Sequence, residues 1–169
     1  MKFKKLINGA ALIVGLVLIG YSLWSRQGVR PLSETDCPHL PYGMPTGTPP
    51  TNDFICRDIY ALSSNDDRKF ADYVAYRLDK ATITGSSEQS RDWKAAPAIA
   101  PEETLEPEDY QGAYKALGTD RGHLAPLASF RGKEWQTDNY LSNIAPQSAS
   151  LNSSTLKNLE DHFRGKKSI

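Results

Sequence analysis

The sequence predicts an α+β fold built on a small antiparallel sheet. Residues 55–62 and 73–78 are short runs rich in β-branched and aromatic side chains, and residues 119–124 and 139–144 have the same character. Residues 150–164 instead repeat apolar side chains at the spacing of one helix face. Several short strands followed by a helix indicate an α+β domain.

Residues 1–26 are predicted to be an N-terminal membrane anchor. Residues 6–24 carry no charge and follow Lys2, Lys4 and Lys5. At about 1.5 Å per helical residue this run just crosses a hydrocarbon core of about 30 Å, so we expect one transmembrane helix that binds the membrane. The lysines favour a cytoplasmic N-terminus, which places the domain on the extracytoplasmic side, periplasmic or extracellular.

A cleaved signal peptide is the alternative. The most apolar part, residues 10–19, has signal-peptide length, and Gly20 and Ser22 supply small residues for a cleavage site. Under that alternative the domain is secreted.

Residues 27–53 are rich in Pro, Gly, Thr and Ser and predict a tether, so the compact domain is placed at residues 54–169. Cys37 and Cys56 lie beyond the membrane segment, where an oxidising compartment would let them form a disulfide worth about 3 kcal/mol. A zinc site that adds His39 is the alternative, although its spacing fits no usual zinc pattern.

Within the domain, residues 55–62 and 73–78 are predicted to form a hairpin around the polar turn at residues 63–67. Residues 79–118 are long, polar and rich in proline, which indicates irregular structure. Two further strands, at residues 119–124 and 139–144, then lead into the helix.

The predicted helix at residues 150–164 presents Leu156, Leu159 and Phe163 at helical spacing. Ser150 or Asn152 can serve as its N-cap, because either side chain can accept from the free amides of the first turn.

The charge balance excludes a broad basic face. Four of the 20 basic residues, Lys2, Lys4, Lys5 and Arg26, belong to the membrane segment and its flanks, which leaves 16 basic against 20 acidic residues. Any binding of phosphate must therefore come from a local basic cluster and a cation.

The most informative run is DRGHLAPLAS at residues 120–129, followed by NYLSNIAPQ at residues 139–147 and Leu151-Asn152. This pattern resembles the DNA/RNA non-specific endonucleases, the ββα-metal nucleases that include endonuclease G. Ala75-Tyr76, RDWK at residues 91–94, Asp109-Tyr110 and Leu159-Glu160 follow in the family's order. The resemblance extends from about Arg57 to the end of the chain.

The resemblance implies a metal-dependent endonuclease that cleaves DNA and RNA with little sequence preference and leaves 5′-phosphate products. His123 would be the general base, and Asn152 would bind Mg²⁺ or another divalent cation such as Mn²⁺. Arg91 and Arg121 would contact phosphate, and Glu160 would hold a metal-bound water.

The residue types suit this chemistry. An imidazole of ordinary pKa about 6.5 can take a proton from water near neutral pH. If residues 120–124 are extended, Arg121 and His123 share one face of the strand, and Asp120 and Gly122 share the other. An amide oxygen such as that of Asn152 is a competent ligand for a hard cation.

Asn152 and Glu160 are eight residues apart. On a regular helix they are about 12 Å apart along the axis but only about 80° apart around it. They therefore share a face without both gripping one ion, which favours Glu160 acting through water.

Each of these residues also has a structural interpretation. His123 could be a hydrogen-bonded strand residue, Asn152 a helix cap and Glu160 a solvated partner of Lys157. Arg91 and Arg121 could form ordinary surface ion pairs.

The chain stops soon after the motif helix, whereas the family it resembles continues with further strands and helices. We therefore expect a domain truncated at its C-terminus. An alternative function follows: an anchored, inactive remnant that binds nucleic acid or a protein partner. Two protein partners are open: an inhibitor protein, or a second copy of the chain in a homodimer.

Overall fold

A computed structural model describes residues 36–85, 89–131 and 134–165 of the chain. Its first sheet is antiparallel, with strands β1 (Asp53–Cys56), β2 (Ala61–Ser64) and β3 (Ala71–Ala75) in that order. The second sheet pairs β4 (Thr119–His123) with β5 (Ile144–Ser148), also antiparallel. Small antiparallel sheets with short helices confirm the predicted α+β class.

The first sheet differs from the predicted hairpin, because residues 55–62 do not form one strand. The chain reverses between β1 and β2 at residues 57–60, where the Arg57 amide donates to the Tyr60 carbonyl at 2.8 Å. The charged pair Arg57-Asp58 interrupts the apolar run and supplies the turn. The polar turn after β2 is present, and the side chain of Asn65 accepts from the amide of Arg68 at 2.9 Å to hold it.

Cys37 and Cys56 form a disulfide that ties the segment before β1 to the first sheet. Both sulfurs are therefore used, and no thiolate is left for the zinc alternative. His39 has a structural role beside this bond: its Nδ1 accepts from the Arg77 amide at 3.3 Å, so its Nε2 donates to the Arg57 carbonyl at 3.0 Å.

The second sheet also departs from the prediction, because residues 139–144 are not a strand. They contain the 3₁₀ segment Leu141–Asn143, and the strand begins at Ile144. In the register of β4 and β5, His123 faces Ile144 and Arg121 faces Pro146. Pro146 is tolerated because, among the described residues, β5 pairs with β4 alone.

Asn143 explains why the segment before β5 is not extended. Its fully buried side chain accepts from the Ala125 amide at 2.8 Å and donates to the carbonyls of Ala125 at 3.1 Å and Asp138 at 3.0 Å. Bonds from an asparagine side chain to the backbone replace the ladder that a strand would form.

The helix after β5 starts with a π-helical segment, Leu151–Leu156, and continues as the α-helix Lys157–Phe163. The predicted caps are wrong: Ser150 is already helical and makes no capping bond. The hydroxyl of Ser148, at the end of β5, accepts from the Leu151 amide at 3.3 Å instead. Asn152 is therefore inside the helix, and its side chain is not used as a cap.

The long connection between the sheets is largely irregular, as predicted. It contains the short helices Lys80–Ile83 and Ala113–Leu117 and the 3₁₀ segments Pro101–Glu103 and Pro107–Tyr110. The Lys94 amide donates to the Asn139 carbonyl, and the Lys94 carbonyl accepts from the Leu141 amide. These two bonds tie the connection to the segment before β5 and hold it beside β4.

The main core lies between the first sheet and these connections. Tyr60 and Phe130 are its largest fully buried side chains. The Tyr60 hydroxyl donates to the Thr137 carbonyl at 2.8 Å, so its polar atom is satisfied inside the core.

The predicted membrane segment, residues 6–24, lies outside the described residues. Among the residues that are described, no helix has the length and apolar character needed to cross a membrane.

The bonds of Asn143 generate a first prediction. Asn143→Ala should lower the free energy of unfolding by about 3 kcal/mol, because backbone groups of Ala125 and Asp138 lose their buried partner. Urea unfolding of the full chain measures this change, with Asn158→Ala on the exposed helix surface as the matched control. Equal stabilities for the two variants would contradict the role given to Asn143.

Candidate active site

A cleft of about 810 Å³ opens beside β4 and the helix that follows β5. It carries a local basic cluster together with acidic and amide side chains. Its polar lining includes Arg91, Asp120, His123, Arg131, Asn152, Lys157, Glu160 and Arg164. A neighbouring cleft of about 450 Å³ shares Arg91, Asp120, His123 and Asn152 and adds Trp93, Tyr110 and Arg121.

His123 is the last residue of β4, and the buried side chain of Asn139 holds its ring. The Nδ2 group of Asn139 donates to the Ser90 carbonyl at 2.9 Å, which turns its Oδ1 toward His123. This oxygen lies 3.3 Å from Nε2 of His123. Because an amide oxygen only accepts, Nε2 carries the proton and Nδ1 keeps its lone pair.

The surroundings of His123 favour the neutral ring. Burial lowers the pKa of His123 to about 4, and the positive charge of Arg91 acts in the same direction, whereas the bond to Asn139 opposes the shift. The Trp93 ring covers one side of the imidazole, with 5.2 Å between the ring centroids. At neutral pH the ring is therefore an unprotonated base.

Arg121 is held between two aromatic rings. Its guanidinium carbon lies 5.5 Å from the centroid of Trp93 and 5.3 Å from that of Tyr110, and Nη2 donates to the Pro107 carbonyl at 3.3 Å. Cation–π contacts of this kind orient the planar guanidinium. Arg121 and His123 both contact Trp93, as expected if they share one face of β4.

Asn152 faces the cleft from the π-helical segment. Its Nδ2 group donates weakly to Oδ2 of Asp120 at 3.5 Å. β4 is a continuous strand over residues 119–123, and Asp120 nevertheless lines both clefts together with His123. The contact with Asn152 links the Asp120 carboxylate to the helix at the edge of the clefts.

Glu160 lines the same cleft from the α-helix Lys157–Phe163, which follows the π-helical segment. Its Oε2 is 3.5 Å from Nη1 of Arg164, whose side chain is 6% exposed and also donates to the Ser129 hydroxyl. Burial raises the pKa of the Glu160 carboxyl, and Arg164 opposes that shift. Lys157, the partner of Glu160 in the structural interpretation, instead pairs with Asp161 at 2.8 Å. The ion-pair partner of Glu160 is Arg164.

The donor chemistry of the cleft fits a hard divalent cation. The amide nitrogen of Asn152 points to Asp120, which leaves the amide oxygen as the atom available to an ion. The carboxylates of Asp120 and Glu160 line the same space. Amide and carboxylate oxygens are the ligands that Mg²⁺ and Mn²⁺ accept.

The structure thus brings Arg91, His123, Asn152 and Glu160 into one cleft and places Arg121 in the adjoining one. Sequence reasoning did not assign Asn139, Trp93 or Asp120 to the site. All three belong to motif segments in the sequence, but only the tertiary structure shows which of them touches His123 or Asn152.

Two antiparallel strands followed by a helix, with a histidine at the end of the first strand and an asparagine on the helix, define the ββα class of nuclease folds. The chain matches the DNA/RNA non-specific endonuclease family over residues 40–166, and it belongs to that family.

Individual relatives agree with this assignment. The chain is 48% identical over 123 residues to a nuclease of Serratia marcescens, which covers 72% of this chain and 45% of the relative. It is 35% identical over 170 residues to a nuclease of a Nostoc strain, covering 92% of this chain and 58% of the relative. The chain is 30% identical over 121 residues to human mitochondrial endonuclease G, which covers 70% of this chain and 39% of the relative.

A solved structure shares the fold. The chain resembles one chain in the crystal structure of the EndoG/EndoGI complex, with a TM-score of 0.58 and 26% identity. That similarity covers 70% of this chain and 49% of the other. The chain spans about half the length of the curated nucleases of Serratia and Nostoc that it matches.

The lowered pKa of His123 generates a second prediction. In an NMR titration of the full chain, the His123 ring should change charge near pH 4 rather than near 6.5. Between these values the unfolded chain binds a proton that the folded chain does not, so the free energy of unfolding should fall as the pH drops from about 6.5 to about 4.

The spectrum of His123→Gln assigns the resonance. Titration of His123 near 6.5 would show that the imidazole is not desolvated and would contradict this description of the site.

Proposed function

We propose that the chain is a divalent-cation-dependent endonuclease that hydrolyses phosphodiester bonds in DNA and RNA with little sequence preference. The observation that carries this proposal is one cleft in which the neutral imidazole of His123 faces the oxygen donors of Asn152, Asp120 and Glu160. Family membership supports the same reaction class.

His123 is the proposed general base. Asn139 holds the proton on Nε2, so Nδ1 is the atom that accepts a proton from the attacking water. The lowered pKa keeps this atom unprotonated at neutral pH. Trp93 packs against the ring and restricts its rotation, which keeps Nδ1 in one orientation.

Asn152 is the proposed protein ligand of the cation, with Mg²⁺ favoured and Mn²⁺ as a substitute. Asp120 orients the amide of Asn152, and Glu160 holds water in the same space. When bound, a divalent cation of this kind stabilises negative charge on the phosphate and on the leaving oxygen.

The arginines are the proposed phosphate contacts, and their settings differ. Arg91 is exposed at the junction of the two clefts, where it can pair with a phosphate from either one. Arg121 is oriented by Trp93 and Tyr110, so its guanidinium is positioned before substrate binds. Arg131, Lys157 and Arg164 extend the basic lining along the first cleft. Contacts to the backbone of nucleic acid carry no base preference, which fits a non-specific enzyme.

The N-terminal sequence and the solved structure that shares the fold support proposals for the location and the partners of the chain. Residues 6–24 favour a single-pass anchor with the nuclease domain outside the cytoplasm, and a cleaved signal peptide remains the alternative. The resemblance to a chain from an EndoG/EndoGI complex, described as a mechanism of inhibition, favours an inhibitor protein as a partner.

The third prediction tests the reaction. The purified full chain should cleave supercoiled plasmid and RNA when Mg²⁺ is present and stop when a chelator is added. His123→Ala should reduce the cleavage rate by about 10²–10⁴-fold, because the water loses its general base. Asn152→Ala should also lose cleavage, and partial recovery at high Mg²⁺ would reflect weakened binding of the cation.

His162→Ala is the matched control, since this exposed histidine lies on the helix but does not line either cleft. Its cleavage rate should equal that of the wild type. If the wild-type chain melts cooperatively but cleaves neither substrate, the catalytic proposal is wrong, and a remnant that binds nucleic acid or a protein partner becomes the better interpretation.

A further inference from the structure

Three carboxylates meet away from the catalytic clefts. Asp53 opens β1, Asp66 lies in the turn after β2, and Glu103 ends the 3₁₀ segment Pro101–Glu103. One carboxylate oxygen from each lies within 4.8 Å of the others. Burial and the charge of Asp66 raise the pKa of Asp53, as expected where like charges crowd together.

A buried hydroxyl points to the same place. Ser64 faces Asp53 directly in the antiparallel register, so their side chains project from the same face of the sheet. Ser64 is 1% exposed, and its Oγ has no hydrogen-bond partner among the described residues. Oδ1 of Asp66 is likewise buried and has no partner in the part of the chain that the structure describes.

A buried hydroxyl and a buried carboxylate oxygen without partners are costly, because each loses its hydration and gains nothing in return. A cation bound among them removes that cost and also the repulsion among the three acids. Three carboxylate oxygens within 4.8 Å of one another match a hard cation with ligands at about 2.3–2.6 Å.

We propose that Asp53, Ser64, Asp66 and Glu103 form a structural Ca²⁺ site, separate from the catalytic centre. Three carboxylates favour Ca²⁺ over Mg²⁺, because Mg²⁺ usually keeps several waters and takes one or two carboxylates. None of the four residues lines either catalytic cleft.

The site would fasten the irregular connection to the first sheet. Glu103 lies shortly before the 3₁₀ segment Pro107–Tyr110, which supplies both the carbonyl and the ring that hold Arg121. A Ca²⁺ ion that joins Glu103 to β1 and to the turn after β2 would therefore stabilise the segment on which the position of Arg121 depends.

The fourth prediction is tested by thermal melting of the full chain after treatment with chelator. Added CaCl₂ should raise Tm, and a Ca²⁺ concentration 100 times the dissociation constant should favour the folded state by about 100-fold. MgCl₂ at equal concentration should raise Tm less. The double variant Asp66→Asn/Glu103→Gln should lose the response to Ca²⁺, and Ser64→Ala should weaken it.

The variants should fold, because without Ca²⁺ the double variant relieves repulsion and should melt at or above the wild-type Tm. Glu102→Gln is the matched control: this exposed acid neighbours the cluster but is not part of it, and the response should remain. Asn152→Ala should also keep the response. A Tm of the wild type that does not respond to Ca²⁺, or a response that persists in the double variant or disappears in Asn152→Ala, would overturn the proposal.

Discussion

The amide of Asn139 is the interaction on which the arrangement of the cleft depends. Its nitrogen donates to Ser90 and its oxygen faces Nε2 of His123, so one buried side chain sets both the tautomer and the orientation of the imidazole. The backbone of Asn139 accepts from the Lys94 amide, which brings Trp93 beside the same ring. Burial then keeps the ring neutral. These contacts converge on the residue that we propose as the general base.

A second buried asparagine supports the first. Asn143 bonds to the backbone of Ala125, just after β4, and to the carbonyl of Asp138, next to Asn139. It therefore links the strand that carries His123 to the segment that carries Asn139. Fully satisfied polar groups of this kind specify one arrangement of a buried segment, because any other arrangement leaves them unpaired. These side-chain bonds hold the irregular segment between the two asparagines.

The sequence predicts much of the framework and the membership of the site. Periodicity places a strand at residues 119–124 and a helix at residues 150–164, close to the strand Thr119–His123 and to the helical segments that end at Phe163. The motif pattern selects His123, Asn152 and Glu160, and the structure brings them into one cleft. Their catalytic roles stay predictions.

Other features depend on contacts that no local pattern encodes. Residues 139–144 have the composition of a strand, yet the side chain of Asn143 bonds to the backbone in place of a ladder. The turn at residues 57–60 divides an apolar run that reads as one strand. The cluster of Asp53, Asp66 and Glu103 joins residues that are far apart in the chain, so spacing rules for metal ligands do not reveal it.

Chemical rescue can test whether the imidazole of His123 is the base of a phosphodiesterase site. The full chain carrying His123→Gly should cleave plasmid DNA very slowly in Mg²⁺, and added imidazole should restore part of that rate. Asn152→Ala should gain nothing from imidazole, because it lacks a cation ligand and not a base. Undiminished cleavage by His123→Gly without imidazole would show that His123 is not the base.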